Sequence, residues 1–549
     1  MRILSKIIDV LSKYGWSATL VFLAAVALGF TWSTSDEIFT SIRLFDRIAL
    51  MVDQNYVESV DRTKLIKAGV DGMLEKLDKY TKYLDGGDFL HLQQATDGKI
   101  DGIGVYLEYH RDTLTVTSVL DGTPGQRAGI TAGDRILMID SVATMGLEIR
   151  EVRMLMSGET GTPIVLLVSR PDDGDYSITA YREEVNIKSI PFSSMISDDI
   201  GFIKLARFSE RCTINMKKEI MSLQKKGMRS LILDLRGNPG GLLGEAIETA
   251  SLFLPDNVAV VETRGRDGLR IASYTAYGDP VFLDGELAIL IDRRTASAAE
   301  IVAGAIQDHD RGVIIGGSSY GKGLVQQVLM VSDESALKIT TSRYHLPSGR
   351  CLQKPGWSEF GLLPQGEGYD RSDSIFYTAQ GRPVFGGGGI TPDIYIDNES
   401  ESGYVEALIE ESYFFDFVTE FLKENEITPE FKIDDKMLKE FRRFIEEKNF
   451  RYDKDERTAF NDLKDNLAFV DRQTKKAMAT LNKKISGREK WYFESNYKIV
   501  AEELAKNIII REFGEKIWYE IDIPEQPHVS RALEILSNNR EYSAVFNPR

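Results

Sequence analysis

The segment DRRTASAAEIVAGAIQDHD holds a residue placed for nucleophilic chemistry. An apolar strand, ELAILI, runs out at Asp292 and a helix is expected to begin close to Ser297, so a strand-turn-helix would expose this serine at a helix N-terminus. Backbone N–H groups there can hold a developing oxyanion, and the helix dipole favours negative charge. Ser297 to Glu300 is also S-x-x-E, the signature of a capping box, and the segment alone does not separate the two roles.

A serine nucleophile needs a base. Five histidines are available, His91, His110, His309, His345 and His528. None is well placed: His309 follows Ser297 on the same expected helix, roughly 18 Å away at the helical rise per residue. H-E-x-x-H is absent, which argues against a zinc site, and with no histidine well placed a histidine triad is poorly supported. A lysine can serve if burial keeps its amine neutral. The candidate is Lys322 in GGSSYGKGLVQQV, directly after the strand VIIGG, which should end on the same sheet edge as the strand before Ser297. Gly316 to Lys322 also reads G-x-x-x-x-G-K, a phosphate loop. That reading fails at Gly323, where a magnesium-binding Ser or Thr should stand, and at LVQQVLMV, which is strand-like rather than helical.

The elements that must position these residues fall into blocks. Residues 1–35 carry Arg2, Lys6 and Lys13 before an uncharged run from Trp16 to Trp32, an export signal read as a membrane anchor or a cleaved leader. Residues 36–99 have helical spacing. Residues 100–172 are short strands around one helix near Leu147 to Met156, the size of a small β module. From 185 to 398 strands alternate with helices, which implies a mainly parallel sheet with its site beyond the strands' carboxyl ends. Residues 399–549 are charged and helical, with Val500, Leu504 and Ile508 spaced for a buried stripe.

The chain has 549 residues, 42% hydrophobic and 28% charged, so several folded modules are expected. A net charge of −17 with no long basic run argues against nucleic acid. The two cysteines, Cys212 and Cys351, exclude a disulfide scaffold and leave open whether they pair.

Taken together, the motifs resemble the C-terminal processing peptidases, the serine-lysine group that includes the tail-specific proteases. TASAAEI resembles the nucleophile segment with Ser297, and YGKGLVQ the base segment, with Lys322 as base and Gln326 as the residue that orients it. LDLRGNPGGLL resembles the oxyanion loop, which implies that the N–H of Gly240 or Gly241 joins that of Ala298. YHLPSGRCLQ and GGGGITPDI are further matches, and the β module resembles a PDZ domain whose loop Gly102, Ile103, Gly104 and Val105 would receive a peptide carboxylate.

The resemblance implies a multidomain α/β protein: a crotonase/Clp-protease-like α/β protease core at 185–398, a PDZ module, an N-terminal helical domain and a helical C-terminal domain. It implies an extracytoplasmic, periplasm-type serine endopeptidase without metal or organic cofactor, acting on polypeptides with free, apolar C-termini. A homodimer and an adaptor protein are left open as partners. Ser157 stands where the family carries an arginine linked to PDZ coupling, and Lys79, Tyr80 and Thr81 replace its Pro-His-Ser. The segment from Lys354 to Phe385 is longer than typical. The helical tail has no counterpart that matches residue by residue; it is read as a buttress, a dimerisation arm, a lid or a docking surface. In an extended strand Lys322 and Gln326 would lie roughly 13 Å apart, so the chain must bend between them.

Overall fold

A computed structural model describes residues 39–547, except 111, 171–173, 267, 355–373, 397–401, 451, 453, 468–470 and 487. The Trp16 to Trp32 segment and most of the long stretch after Lys354 lie outside the described residues. No described helix is long and apolar enough to cross a membrane. Residues up to Tyr83 form one compact unit and the described residues from Leu84 onward another.

The smaller unit contains helix 39–55 and the helix Arg62–Leu74, started by Asp61, whose carboxylate accepts the N–H groups of Thr63 and Lys64. The stretch expected to be one helical domain therefore divides. The next helix, Gly86–Asp97, belongs to the larger unit, where Gly87 leaves room for the Arg150 carbonyl and Met154.

The β module is a five-strand antiparallel sheet in the order Val105–His110, Thr113–Val119, Arg135–Ile139, Pro163–Arg170, Gly174–Tyr181, with a short strand, Val142–Ala143, off its middle. The last long strand lies past the expected end of the module at 172. Its signal is alternation: Ile178 and Ala180 point into the core while their neighbours face water. Val105–His110 is an edge strand of this sheet.

The peptidase-like core is built on a six-stranded sheet in the order Phe192–Met195, Ile200–Lys204, Ser230–Asp234, Leu287–Ile291, Val313–Gly316, Ile394–Tyr395, parallel except at its first pair. Its central strands SLILD and LAILI are buried at every residue, as a parallel sheet covered on both faces requires. One face, with Leu231, Leu233, Ile289 and Ile314, packs under the helices Cys212–Lys225, Leu243–Ser251 and Ala298–Asp308. The other, with Ile232, Leu290, Val313 and Ile315, is covered by the end of the chain: Ile523, Val529, Ala532, Leu536 and Phe546. The expected boundary at 399 therefore cuts through a core. The first helices of the tail do form a separate cluster, in which Val500, Leu504 and Ile508 are fully buried as their spacing suggested. A second, antiparallel sheet carries the hairpin Leu324–Ser332 and Ser335–His345 beside Ala259–Arg264 and Arg270–Thr275.

Cys212 and Cys351 are buried and form no disulfide with each other. Burial and the neighbouring Glu245 carboxylate push the Cys212 thiol up, so it stays protonated.

Two stability predictions follow from the tail's position. Leu536→Ala should cost about 2–4 kcal/mol in a cooperative transition of the whole core, read by denaturant unfolding; a loss confined to helix signal would contradict the shared core. His528, buried at the same junction beside Arg236, has its pKa lowered from 6.5 to about 4, mainly by burial. Between those values the unfolded chain takes up a proton that the folded chain refuses, so stability falls as pH drops through the window. The fall in Tm from pH 6.5 to 4 should be shallower in His528→Asn than in the parent.

Candidate active site

Ser297 joins the strand Leu287–Ile291 to the helix Ala298–Asp308 with φ 57° and ψ −117°. Such a backbone costs about 1–3 kcal/mol and persists only where its surroundings over-determine it. Glu300 supplies that constraint. Its carboxylate is fully buried and accepts the N–H of Ser297 at 2.8 Å and of Lys322 at 2.9 Å on Oε2, and the N–H of Gly321 at 2.7 Å and the hydroxyl of Ser319 at 2.5 Å on Oε1. Burial pushes the carboxyl above its ordinary range and the four donors pull it back. Every contact presents a hydrogen, which suits the ionised form. The capping box is present, and its glutamate also fastens the serine turn to the loop of Lys322.

That loop is held from its other sides by the two further motifs. Ser319 Oγ accepts the N–H of Ile390, from GGGGITPDI, at 2.6 Å. Gln353, from YHLPSGRCLQ, accepts the N–H of Gly323 at 3.0 Å through Oε1, and the N–H of Tyr344 donates to the Gly323 carbonyl at 2.9 Å. The structure thus brings Ser297 and the Lys322 loop together.

The third segment also converges here. Gly240 has φ 96°, and a Cβ on it would lie 2.9 Å from both Ser297 Cβ and the Ala298 nitrogen. Gly241 has φ 150° and passes so close to Phe208 that a Cβ would stand 2.1 Å from its carbonyl oxygen. Only glycine fits at either position. Asn238 is fully buried; it donates to the Leu205 carbonyl and accepts the Gly240 N–H at 2.8 Å. The Gly240 amide is therefore already engaged, which narrows the expected pair. Among the described residues, the N–H groups of Gly241 and Ala298 donate to no acceptor.

Two side chains depart from expectation. Ser297 Oγ is hydrogen-bonded at 2.9 Å to the phenol of Tyr344, a residue that sequence reasoning gave no role, while Lys322 enters the Glu300 network through its backbone N–H. Gln326 donates through Nε2 to Thr340 Oγ1 at 3.2 Å, its partner across the hairpin, rather than to Lys322. The strand begins only at Leu324 and its register shifts between Val325 and Gln326, so the straight strand that would separate Lys322 from Gln326 does not form. None of the five histidines hydrogen-bonds Ser297; His309 instead meets the Ala259 carbonyl at 2.6 Å.

In the β module, Gly104 has φ 73° and leaves room for Thr123, whose Cβ would lie 2.5 Å from a Cβ there. The Gly125 N–H holds the Ile103 carbonyl and the Leu120 N–H holds that of Gly104, while the N–H groups of Ile103 and Gly104 have no acceptor among the described residues. Gly102 ends a short strand paired with Glu183, and Val105 starts the edge strand, so the loop opens beside the edge. Near Ser157, the buried Arg182 guanidinium caps the end of the helix Ile149–Met156, donating to the carbonyls of Leu155 and Met156 at 2.8 and 3.0 Å.

Comparison with known proteins assigns these parts. Residues 199–364 match the model of peptidase family S41, residues 115–170 a PDZ domain, and residues 404–536 a "Probable PDZ-protease, C-terminal helical domain". A carboxy-terminal-processing protease of Bartonella bacilliformis is 34% identical over 345 residues, covering 61% of this chain and 79% of the relative. The chain belongs to peptidase family S41. The carboxy-terminal processing protease CtpA of Bacillus subtilis is 28% identical over 346 residues, covering 62% of this chain and 74% of that one. Among solved structures, the photosystem II D1 C-terminal processing protease is 25% identical and covers 66% of this chain and 95% of its own, with a TM-score of 0.37. This S41 peptidase is thus a serine protease with a PDZ domain, and its tail, unmatched in the sequence reading, has a family counterpart after all.

Glu300→Gln should lower kcat about 100-fold or more, because an amide would set its own N–H₂ against backbone donors and shift the serine turn. Steady-state peptide cleavage beside circular dichroism checks this; near-parental kcat would show that the clamp is dispensable.

Proposed function

We propose that this S41 peptidase is an extracytoplasmic endopeptidase that cleaves exported polypeptides chosen by their free, apolar C-termini, with Ser297 as nucleophile and Lys322 as general base. The observation that carries the reading is the meeting of the Ser297 turn and the Lys322 loop on one carboxylate, beside two uncommitted amides. The extracytoplasmic assignment rests on the basic residues and apolar run of the first 35 residues.

Neutral Lys322 takes the Ser297 proton and Oγ attacks the scissile carbonyl carbon. The oxyanion sits between the N–H groups of Ala298 and Gly241, both beside the start of a helix whose dipole adds to the field. The lysine returns the proton to the leaving amine, and the acyl-enzyme is then hydrolysed by water. Lys322 Nζ must approach Ser297 Oγ from the side that Tyr344 does not occupy. The PDZ loop receives the substrate's terminal carboxylate on the amides of Ile103 and Gly104, and the chain upstream adds to the edge strand Val105–His110.

The rival reading is a silent binder that retains exported chains through the PDZ domain. An unfolded reporter with an apolar C-terminus separates the two: the parent should cleave it, and Ser297→Ala should not. Lys322→Arg should be equally inactive, because a guanidinium stays protonated and cannot act as base. Equal cleavage by parent and Ser297→Ala would overturn the protease mechanism. Amidating the reporter's C-terminus should raise KM about tenfold or more, and an unchanged KM would remove the PDZ loop from substrate selection.

A further inference from the structure

Ser297 Oγ is hydrogen-bonded to the phenol of Tyr344, and the proposed proton transfer gives that phenol no part. Tyr344 is fixed from several sides. Its backbone pairs with Thr263 across the sheet, its N–H holds the Gly323 carbonyl, and its side chain is buried in the main core cluster. A phenol so placed stays on Oγ without having to move. Burial raises its pKa well above the usual phenol range, so it keeps its proton throughout the working pH range. If the Ser297 proton points to the base, Oγ must accept from Tyr344, and the phenol is the donor.

A donor on Oγ acts unequally on the two halves of the reaction. In acylation the electron pair of Oγ forms the new bond to carbon and the developing charge passes to the carbonyl oxygen. In deacylation the order reverses. Water gives a proton to Lys322 and attacks the acyl carbon; the C–Oγ bond then breaks, its electron pair lands on Oγ, and the lysine proton follows to restore the serine. In acylation a donor on Oγ holds back the pair that must attack, whereas in deacylation it stabilises the charge left on Oγ as the bond breaks, so a fixed donor at 2.9 Å favours the second step.

We propose that Tyr344 is a further catalytic residue of this site, a hydrogen-bond donor to Ser297 Oγ that assists its departure from the acyl-enzyme. The proposal rests on the Ser297 and Lys322 reading and makes a separate claim about the second step.

The test is Tyr344→Phe, which removes one oxygen. The full chain is mixed with a peptide substrate, quenched in acid, and the acyl-enzyme is measured by intact mass; a chromogenic ester gives the burst and the steady rate. Deacylation should slow about 10- to 100-fold with acylation changed by no more than a few-fold, so that acyl-enzyme accumulates in the variant and not in the parent. Labelling of Ser297 by a fluorophosphonate confirms that the variant site is assembled. A 3-fluorotyrosine at the same position keeps the ring and strengthens the donor, and should deacylate at least as fast as the parent. Equal slowing of both steps without accumulation, or an unchanged deacylation rate, would overturn the proposal. Cleavage that survives Ser297→Ala would instead refute the underlying serine reading, a result independent of Tyr344.

Discussion

The active region depends on one buried carboxylate. Glu300 sits where no water can hydrate it, and an ion there is tolerable only because both oxygens are filled by donors fixed in the backbone or, for Ser319, held by a backbone N–H. The same four bonds decide the geometry. They hold Ser297 in a backbone conformation it would otherwise leave, and they set the Lys322 loop at a fixed distance from it. Two segments 25 residues apart in the sequence become one rigid piece, Ser297 through Lys322. Catalysis by proton transfer between side chains needs that rigidity more than it needs any single contact, since an error of an ångström costs orders of magnitude.

The second constraint is that a parallel sheet must be covered on both faces. Here the covering is shared by distant parts of the chain. Helices within the peptidase segment cover one face, and the last two helices of the tail cover the other, with Tyr542 Oη also accepting the Leu287 N–H at 3.1 Å. The tail is therefore not an appendage to a finished enzyme. Folding of the sheet is not complete until the final helices arrive, which makes the two regions one cooperative structure.

This division explains what could be read from the sequence. The Ser297 turn, the Lys322 loop and the glycine loop were legible as local structure: a strand, a break and a helix start, or glycines where a Cβ would strike Phe208 or Ser297. The alternation of strands and helices gave the parallel sheet for the same reason. Tyr344 was not legible, since its role comes from a hairpin register that places it opposite Ser297, and nothing in YHLPSGRCLQ distinguishes a phenol facing Oγ from one facing the core. Glu300 was visible only as a helix cap; its three other donors come from Ser319, Gly321 and Lys322, which no local pattern could assign to it. The packing of the tail's end on the sheet was not legible, because burial against a sheet made far earlier in the chain leaves the same amphipathic spacing as burial in a helical bundle.

The tail also touches both of the modules that must act in concert. Arg511 donates to the Ala132 carbonyl of the PDZ domain at 2.7 Å, and Gly133 leaves the space its guanidinium occupies. At the other end, Gln526 accepts from Arg236 at 2.5 Å, one residue before the chain turns at Gly237 toward Gly240 and Gly241. Arg236 is itself fixed by Asp234, whose carboxylate is resisted by burial but held ionised, below its usual range, by Arg236 and Lys204. Arg182 occupies the place beside Ser157, but all its described hydrogen bonds stay within the PDZ domain and stiffen the end of its helix. The tail is one body on which contacts from both regions meet; the helix Gly86–Asp97 is another, since it packs against the helix Ile149–Met156 and the Thr96 carbonyl accepts the Glu210 N–H, two residues from Phe208. In this chain the helical domain and the helix Gly86–Asp97 both span the distance between the PDZ domain and the loop of Gly240 and Gly241, with no arginine at position 157.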